Sequence, residues 1–395
     1  MNRALLLFLP LVLVAGEPWL STLKRQELNL TRQKAIEEAK KLQFSWINPI
    51  KMSYLYQKGD QFPNQRLENF TISVDQPIFK SGGIYKAITY ALAKKRESLL
   101  GVKLTKKELI AQVLELLYNY KKSLYQIQKQ KFLIQNAKLD VLIKKEQYLS
   151  NEIDSTFLDN AILQKNQKEL TLLTLKQNLS DIEERLAALS DIDPDNITLP
   201  RFKLIRKDRY LDENLALRKS RQTIDAAKDF YYMTIARYLP QISLQASYNY
   251  QKMQGSLFVP DYSYADHYST YGVRFSMPLF DINSFHNIEI AKLDLLKSKN
   301  SLSQLRREKE KLFDNIAKQL TIVQKKIALS KEDKKLYQKL YDDTKERVKA
   351  GEKTEYDEEI MANSLRTKEL DIRIYEIDRQ LLLLKLYKEL SDEAI

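Results

Sequence analysis

Apolar and polar residues alternate without interruption along residues 241–251. A period of two predicts a β-strand with one apolar face and one polar face. The same period occurs in three further stretches, at residues 50–57, 70–75 and 271–277. Gly, Pro and Asn occur in residues 58–67, between the first two of these stretches, and they favour a turn. The pattern therefore predicts two β-hairpins, at about 47–79 and at about 241–280.

Each predicted hairpin is followed by long runs in which apolar residues recur at helical spacing. Residues of about 83–190 and about 284–390 each contain two such runs, separated by turn formers at 151–155 and at Gly351. Part of the first run carries two apolar seams, which predicts neighbouring helices on two sides. Two shorter helices are predicted ahead of the hairpins, at 31–44 and at about 212–238.

A short string with a central proline marks the change from strand to helix in both halves of the chain. The two copies are Gln76-Pro77-Ile78-Phe79 and Met277-Pro278-Leu279-Phe280. Proline has no N–H and cannot donate to a sheet, so we expect it to end each strand. Because the same order of elements occurs twice, the sequence predicts two structural repeats, residues 17–200 and 201–395.

The composition is typical of long helices, with only 8 Gly and 10 Pro among 395 residues, of which 30% are charged. The absence of cysteine excludes disulfides, thiolate metal sites and cysteine nucleophiles. The net charge is +13, but Lys and Glu are mixed along the predicted helices and no basic block is interleaved with aromatic residues. We interpret this charge as solvated helix faces and predict no nucleic-acid partner.

Residues 1–16 have the pattern of an export signal peptide. Arg3 precedes an apolar stretch, residues 4–14, and small residues precede Glu17. This stretch is too short for a spanning helix, which needs about 20 residues. No later segment reaches that length, because charges recur every few residues. If the exported chain crosses a membrane, it must therefore do so as strands.

The predicted strands are close to the roughly 9–11 residues that a tilted outer-membrane strand needs. Four strands are too few to close a barrel, since small barrels use about 8, and open sheet edges are not tolerated in lipid. In a membrane, several chains must therefore share one barrel. A soluble sheet with one half-buried face has the same periodicity, and this alternative stays open on periodicity alone.

The sequence offers little material for catalysis. The two histidines, His267 and His286, have no spaced partners for metal binding or acid–base chemistry. Phosphate-binding glycine loops, nucleophile elbows and metal-binding helix motifs are missing from the sequence. We therefore expect no enzyme activity, no cofactor and no metal site.

The order of these elements behind an export signal resembles the TolC-type outer membrane efflux protein family. The most specific stretches are residues 76–83, 239–244, 277–281 and 348–357. The resemblance covers essentially the whole mature chain. It implies a mainly α fold with a small β part, in which a homotrimer closes one 12-stranded outer-membrane β-barrel that is continued by an α-helical periplasmic tunnel. It also implies outer-membrane lipid, a periplasmic adaptor protein and an inner-membrane transporter as partners.

The resemblance assigns roles to two groups of residues. At the junctions between strand and helix it selects Pro77, Phe79, Gly82, Gly83, Pro278 and Phe280. At the tips of the helical hairpins, where the family has its periplasmic gate and adaptor-docking surface, it selects Asn151, Asp154, Asp159, Gly351, Lys353, Asp357, Glu358 and Glu359. It further implies that Lys353 and Asp159 lie on the two sides of a contact that restrains the closed gate.

Three features depart from the family pattern. Ile282 and Asn283 stand where the family usually has a glycine pair after the second junction. Ile360 stands where a second acidic residue often follows the one at Asp357. The turn at 151–156 lacks the family glycine, and we expect it to be two residues longer than the turn at Gly351.

Two functions agree with these features. One is a passive conduit, the outer-membrane exit duct of a tripartite efflux pump or of a type I secretion system. The alternative is an exported structural or adhesive coiled-coil protein without transport activity, whose strands only cap a helical bundle. The tyrosine-rich apolar strand faces and the twofold repeat favour the duct. The sequence does not identify the cargo.

Overall fold

The computed structural model describes residues 19–59, 65–255 and 263–391. The predicted export signal, residues 1–16, lies outside these described residues. The chain forms two compact units, each built from both halves of the sequence. Among the described residues, the sheet unit comprises 30–59, 65–103, 214–255 and 263–309, and the helical unit comprises 19–29, 104–213 and 310–391.

The sheet unit contains the predicted strands as one antiparallel sheet. The strands are β1 (Lys51–Lys58), β2 (Arg66–Phe79), β3 (Gln241–Gln254) and β4 (Ser263–Ser276), paired in the order β1-β2-β3-β4. The two hairpins are therefore joined through β2 and β3. Within the described chain, β1 and β4 are edge strands with one side unpaired.

The register gives this sheet two chemically different faces. Val74, Ala246 and Tyr271 lie side by side across three strands on the apolar face. Their chain neighbours Ser73, Ser247 and Thr270 lie side by side on the polar face. The apolar face is uncovered on the edge strand β4, where the residues Val273 and Phe275 are 70% and 67% exposed.

Seven helices account for most of the described residues. They are α1 (Thr22–Gln43), α2 (Gly83–Leu149), α3 (Ser155–Leu189), α4 (Lys207–Glu213), α5 (Leu215–Ala236), α6 (Asn283–Lys349) and α7 (Glu355–Tyr387). The mainly helical fold with a small antiparallel sheet is thus confirmed. α2 and α6 have 67 residues each, which at about 1.5 Å per residue makes each roughly 100 Å long. None of the helices described has a stretch apolar enough to cross a membrane.

Two helix predictions need correction. α1 begins at Thr22, well before the predicted start at residue 31. The single helix predicted at about 212–238 is divided at Asn214. Asn214 has an extended backbone and its side chain accepts a hydrogen bond from the amide of Leu217 at 3.1 Å, so it acts as the N-cap of α5.

In the helical unit, α2 lies between α3 and α7. Gln130 of α2 donates to the carbonyl of Lys168 in α3 at 2.8 Å, and Asn136 of α2 donates to the carbonyl of Ile360 in α7 at 3.3 Å. α7 in turn contacts α6, since Lys368 pairs with Asp333 at 2.9 Å. The order is therefore α3, α2, α7, α6, which explains the two apolar seams predicted for α2.

Candidate functional site

Both helical hairpins turn through connections of the same length, residues 150–154 after α2 and residues 350–354 after α6. The expectation that the first turn is two residues longer is therefore wrong. Each connection places one residue in the left-handed region, Asn151 with φ 58° and Gly351 with φ 77°. Asparagine tolerates this conformation better than most residues with a side chain, so Asn151 can substitute for the family glycine.

The two turns also share their hydrogen bonds. In the first, the amide of Glu152 donates to the carbonyl of Gln147 at 2.9 Å; in the second, Glu352 donates to Arg347 at 2.8 Å. Inside these lie bonds that span fewer residues, from the amides of Asn151 and Gly351 to the carbonyls of Tyr148 and Val348, both at 3.0 Å. This pair of bonds is the Schellman arrangement that satisfies the last carbonyls of a helix.

The helices that leave the turns begin with different caps. Asp154 caps α3 by accepting from the amide of Thr156 at 2.6 Å. Thr354 caps α7, and it forms a capping box in which the amide of Thr354 donates to the carboxylate of Asp357 at 3.0 Å. These side chains define the two turn ends, so both Asp154 and Asp357 have structural roles in addition to their predicted place at the tip.

The capping box also changes the acidity of Asp357. The backbone N–H and the hydroxyl of Thr354 donate to this carboxylate, and with the charge of Lys353 they hold the pKa of Asp357 below its usual value. A carboxyl with a lowered folded-state pKa stabilises the fold above its unfolded pKa, and that contribution is lost as pH falls through the lowered value. The cap of α7 is therefore intact at neutral pH and weakens only in strong acid.

Lys353 points back along its own hairpin. Its ammonium donates to the hydroxyl of the buried Thr344 on α6 at 3.4 Å. Asp159 is exposed, and no ion pair links Lys353 with Asp159 within residues 65–255 and 263–391. The contact therefore stays a prediction.

The other acidic tip residues differ in their surroundings. Glu358 accepts a hydrogen bond from the hydroxyl of Tyr341 at 3.3 Å, which ties the start of α7 to α6. Glu359 is exposed. Ile360 is half-buried and its carbonyl accepts from Asn136 of α2. The departure at residue 360 thus places an apolar side chain, not an acid, at a point where α7 faces α2.

Behind the tips, a ladder of ion pairs joins α2 to α7. Lys122 pairs with Asp378 at 2.6 Å, and one heptad nearer the turn Lys129 pairs with Asp371 at 2.5 Å. The next heptad position of α2 is Asn136, whose Nδ2 donates to Ser364 at 3.2 Å. This ladder is absent from the predictions made from the sequence. In the sequence, the ladder corresponds to Lys residues one heptad apart on α2 and Asp residues one heptad apart on α7. This pattern can be recognised only when the two helices are known to be antiparallel neighbours.

Two buried amides lie near the last rung of this ladder. The Oδ1 of Asn136 and the Nδ2 of Asn363 are buried with no hydrogen-bond partner among the described residues. A buried polar atom without a partner costs about 1 to 3 kcal/mol. The helix contact next to the tips is therefore weaker than the contact at the ion pairs.

The first strand-to-helix junction is a tight turn. β2 continues through the buried Pro77 to Phe79, with a register irregularity between these two residues, so the expectation that proline ends the strand is wrong here. Gly82 has φ 85°, and its carbonyl accepts from the amide of Lys86 at 3.1 Å. At Gly83 a Cβ atom would lie 3.0 Å from the Cβ of Ala236, so glycine allows α2 to approach α5 closely.

The second junction is looser. β4 ends at Ser276, before Pro278, as proline predicts. Pro278 and Phe280 are exposed, and α6 begins only at Asn283. Asp281 takes over the role of a cap, since its carboxylate accepts from the amide of Asn283 at 2.9 Å. Ile282 and Asn283, which stand at the positions of the family glycine pair, thus follow an acidic cap in a connection longer than that of the first junction.

Among the described residues, no group of His, Asp and Glu side chains is arranged to hold a metal ion. His267 lies on β4 and His286 lies in the first turn of α6, and both are exposed. The main features of the described residues are a two-faced sheet, two capped turns and a helix contact that weakens toward those turns.

Comparison with known proteins agrees with these features. Residues 208–388 match the sequence model of the outer membrane efflux protein family. The outer membrane protein VceC of Vibrio cholerae superposes with a TM-score of 0.71 at 15% identity, covering 93% of this chain and 93% of that chain. The CmeC outer membrane channel of Campylobacter jejuni gives 0.71 at 14% identity, covering 95% and 86%. CusC gives 0.69 at 14% identity, covering 92% and 88%. No curated protein sequence matches the chain.

Proposed function

We propose that this chain is the passive exit duct of a tripartite efflux pump or of a type I secretion system. Residues 208–388, which match the outer membrane efflux protein family, support this proposal. Proteins of this family are outer-membrane channels that extend into the periplasm, and they are not enzymes. The observation that carries the proposal is the open sheet, whose apolar face is uncovered and whose two edges are unpaired in the described chain.

The apolar face has the dimensions of a membrane-facing band. On β3, the apolar positions run from Ile242 to Tyr250, which is roughly 27 Å at about 3.4 Å per residue. Lys252 follows on the same face. Outer-membrane strands tilt by about 35–45°, so this length rises roughly 20 Å along the membrane normal, close to the height of an apolar band, about 25 Å. A soluble sheet needs a cover for such a face, and an uncovered face of this size favours lipid over the soluble alternative.

The unpaired edges make the oligomer part of the proposal. β1 and β4 each need a further strand, and open edges are not tolerated in lipid. A neighbouring copy supplies both, because β4 of one chain can pair with β1 of the next around a closed ring. Three copies give 12 strands, above the minimum of about 8 for a barrel. This is the homotrimer that the family resemblance implies.

The outer helices of the helical unit offer a second contact between copies. α3 exposes a seam of leucines and α6 exposes a seam at heptad spacing; the residues are Leu163, Leu170, Leu173, Ile322, Leu329 and Leu336. α3 and α6 are the two outer members of the order α3, α2, α7, α6, so each has one side free for a neighbour. Packing α3 of one copy on α6 of the next covers both seams and closes a helical tunnel.

The capped turns form the gate in this proposal. They lie at the periplasmic mouth of the tunnel, where a periplasmic adaptor docks and connects the duct to an inner-membrane transporter that supplies the energy. Two observations on the turns support this role. Asn151 and Gly351 fix the turns through their left-handed backbone, and Lys353 adds a positive charge that can attract an acidic partner. The duct itself only opens and closes.

A planar-bilayer experiment tests the proposal. Protein extracted from outer membranes with detergent should have the mass of a trimer by light scattering and should form discrete channels in a lipid bilayer. A folded monomer in detergent, or a trimer that never conducts under any applied voltage, contradicts the duct. Recovery in a soluble periplasmic or extracellular fraction supports the structural coiled-coil alternative instead.

A further inference from the structure

The polar face of the sheet carries balanced charge. Following the register across all four strands, the charged side chains on this face among the described residues are Lys51, Asp75, Asp266 and Arg274. Two are positive and two are negative, so the face has no net charge. The remaining positions hold mainly amides, hydroxyls and a few apolar side chains. The net charge of +13 is therefore not located on this face.

Two of these charges face each other across an intervening strand. Asp75 lies on β2 and Arg274 on β4, with β3 between them, and an Nη1 to Oδ2 distance of 3.4 Å separates the guanidinium from the carboxylate. Neighbouring strands are about 4.8 Å apart, so the Arg274 side chain crosses roughly 10 Å of the face. Gln245 of β3 completes the group by donating to the same carboxylate oxygen at 2.9 Å.

The pair lies open on the face. The side chains of Arg274 and Asp75 are 58% and 45% exposed. Gly272 lies beside Gln245 on the same face, and a Cβ atom there would meet nothing within 4 Å. An exposed pair of this kind contributes little to stability, with a median of about 0 to 1 kcal/mol in measured cases. Its charges do, however, act directly on ions that pass over the face.

Asp266 differs from this pair, because its carboxylate accepts hydrogen bonds from its own strand. Its carboxylate accepts from the hydroxyl of Tyr264 at 2.7 Å and from the amide of His267 at 2.8 Å. It also lies toward the opposite end of β4 from Arg274. The Asp75 and Arg274 pair is thus the charge element nearest the strand ends that join α2 and α6.

We propose that Asp75 and Arg274 determine the ion selectivity of the barrel lumen, as a neutral pair that leaves the passage open to solutes of either charge. This rests on the proposed duct, in which the polar face lines the lumen. In a trimer, three pairs at one level form a ring of three positive and three negative charges. The cargo class it suits is small solutes without a fixed sign of charge, because neither anions nor cations are repelled at this level.

Reversal potentials in a KCl gradient test the proposal, with purified trimers in planar bilayers. Asp75→Asn keeps the shape and the acceptor for Gln245 but leaves three uncompensated arginines, so the channel should become more anion-selective. Arg274→Gln leaves three uncompensated aspartates and should shift it toward cations. We expect changes in the potassium-to-chloride permeability ratio on the order of fivefold in opposite directions. The double variant should return close to the wild-type ratio.

Glu68→Gln is the matched control, since Glu68 lies on β2 but on the opposite face, beside Lys252. It should leave the ratio unchanged. If Asp75→Asn and Arg274→Gln leave the ratio unchanged, or shift it in the same direction, the selectivity role is wrong while the duct stands. If wild-type trimers form no channels, the proposed duct itself is wrong. If Arg274→Gln fails to assemble, the direction in which Asp75→Asn shifts the permeability ratio still tests the selectivity role.

Discussion

Two adjacent residues of β3 provide a direct test of which sheet face meets lipid. Ala246 lies at the middle of the apolar band and Ser247 lies on the polar face. Because successive side chains of a strand point to opposite faces, one step along the chain moves a substitution from lipid to lumen. We therefore compare Ala246→Arg with Ser247→Arg in the same strand.

The expected magnitudes follow from the surroundings of each residue. An arginine facing lipid near the bilayer centre costs about 2 to 4 kcal/mol, or roughly 6 to 12 kcal/mol over three copies. Ser247 shares a hydrogen bond with the hydroxyl of Thr270 at 2.7 Å and accepts from Asn249 at 2.9 Å. Replacing it loses about 1 kcal/mol for each bond, whatever the new residue is.

Ser247→Ala separates the lost hydrogen bonds from the effect of charge. The quantity to compare is the free energy of unfolding of the Ala variant minus that of the Arg variant at each position. Residue 246 is alanine in the wild-type protein, so the wild-type protein is the Ala reference at that position. Urea titration of protein folded into liposomes gives these values, and the difference should be about 2 to 4 kcal/mol per copy at 246 and near zero at 247. Equal differences at the two positions contradict the assigned facing.

The tips and the outer helices give three further predictions. Lys353→Glu should raise single-channel conductance without lowering trimer yield, because it replaces attraction to the acidic tip residues with repulsion worth about 0 to 1 kcal/mol per copy. Gly351→Ala should destabilise the second turn by about 1 kcal/mol and speed its proteolysis, because φ is 77° there. Leu329→Asp should reduce the fraction of trimer in detergent by gel filtration, because it places a charge in the exposed seam of α6.

Each of these predictions has a matched control. Asp159→Lys reverses the charge on the other side of the predicted tip contact, and unchanged conductance in both variants contradicts that contact. Asn151→Gly removes the side chain from the left-handed position of the first turn, so proteolysis of that turn should be slower or unchanged. Gln324→Asp adds the same charge to an exposed α6 position outside the seam and should keep the trimer intact.

Much of the fold was predictable because the signals were local. Strict alternation along β3 identified that strand, and turn formers at Gly351 identified the break between α6 and α7. The length of the turn at Asn151 is not predicted correctly from the sequence, since both connections have the same length. The left-handed position there is filled by asparagine, so the turn keeps its geometry without the residue that usually signals it.

The contacts that position the candidate site were not predictable in the same way. Lys129 and Asp371 are separated by most of the chain and meet only because α2 and α7 are neighbours. Arg274 and Asp75 meet only because β3 joins the two hairpins. Such pairs depend on which elements are adjacent, and periodicity along one segment carries no information on its neighbours.

The interactions between α2 and α7 become weaker toward the turns. This decrease explains how weak contacts at the tips can affect the proposed gate. The Lys122 and Lys129 ion pairs are partly shielded from solvent, which strengthens them relative to exposed pairs. At Asn136 the contact is neutral, and its amide oxygen has no hydrogen-bond partner among the residues that the structure describes. Beyond it, the tips depend on exposed charges and caps of about 1 kcal/mol each. Movement of α7 near the turn is therefore opposed only by these weak interactions. Summed over three copies, their free energies reach the few kcal/mol at which a two-state population shifts.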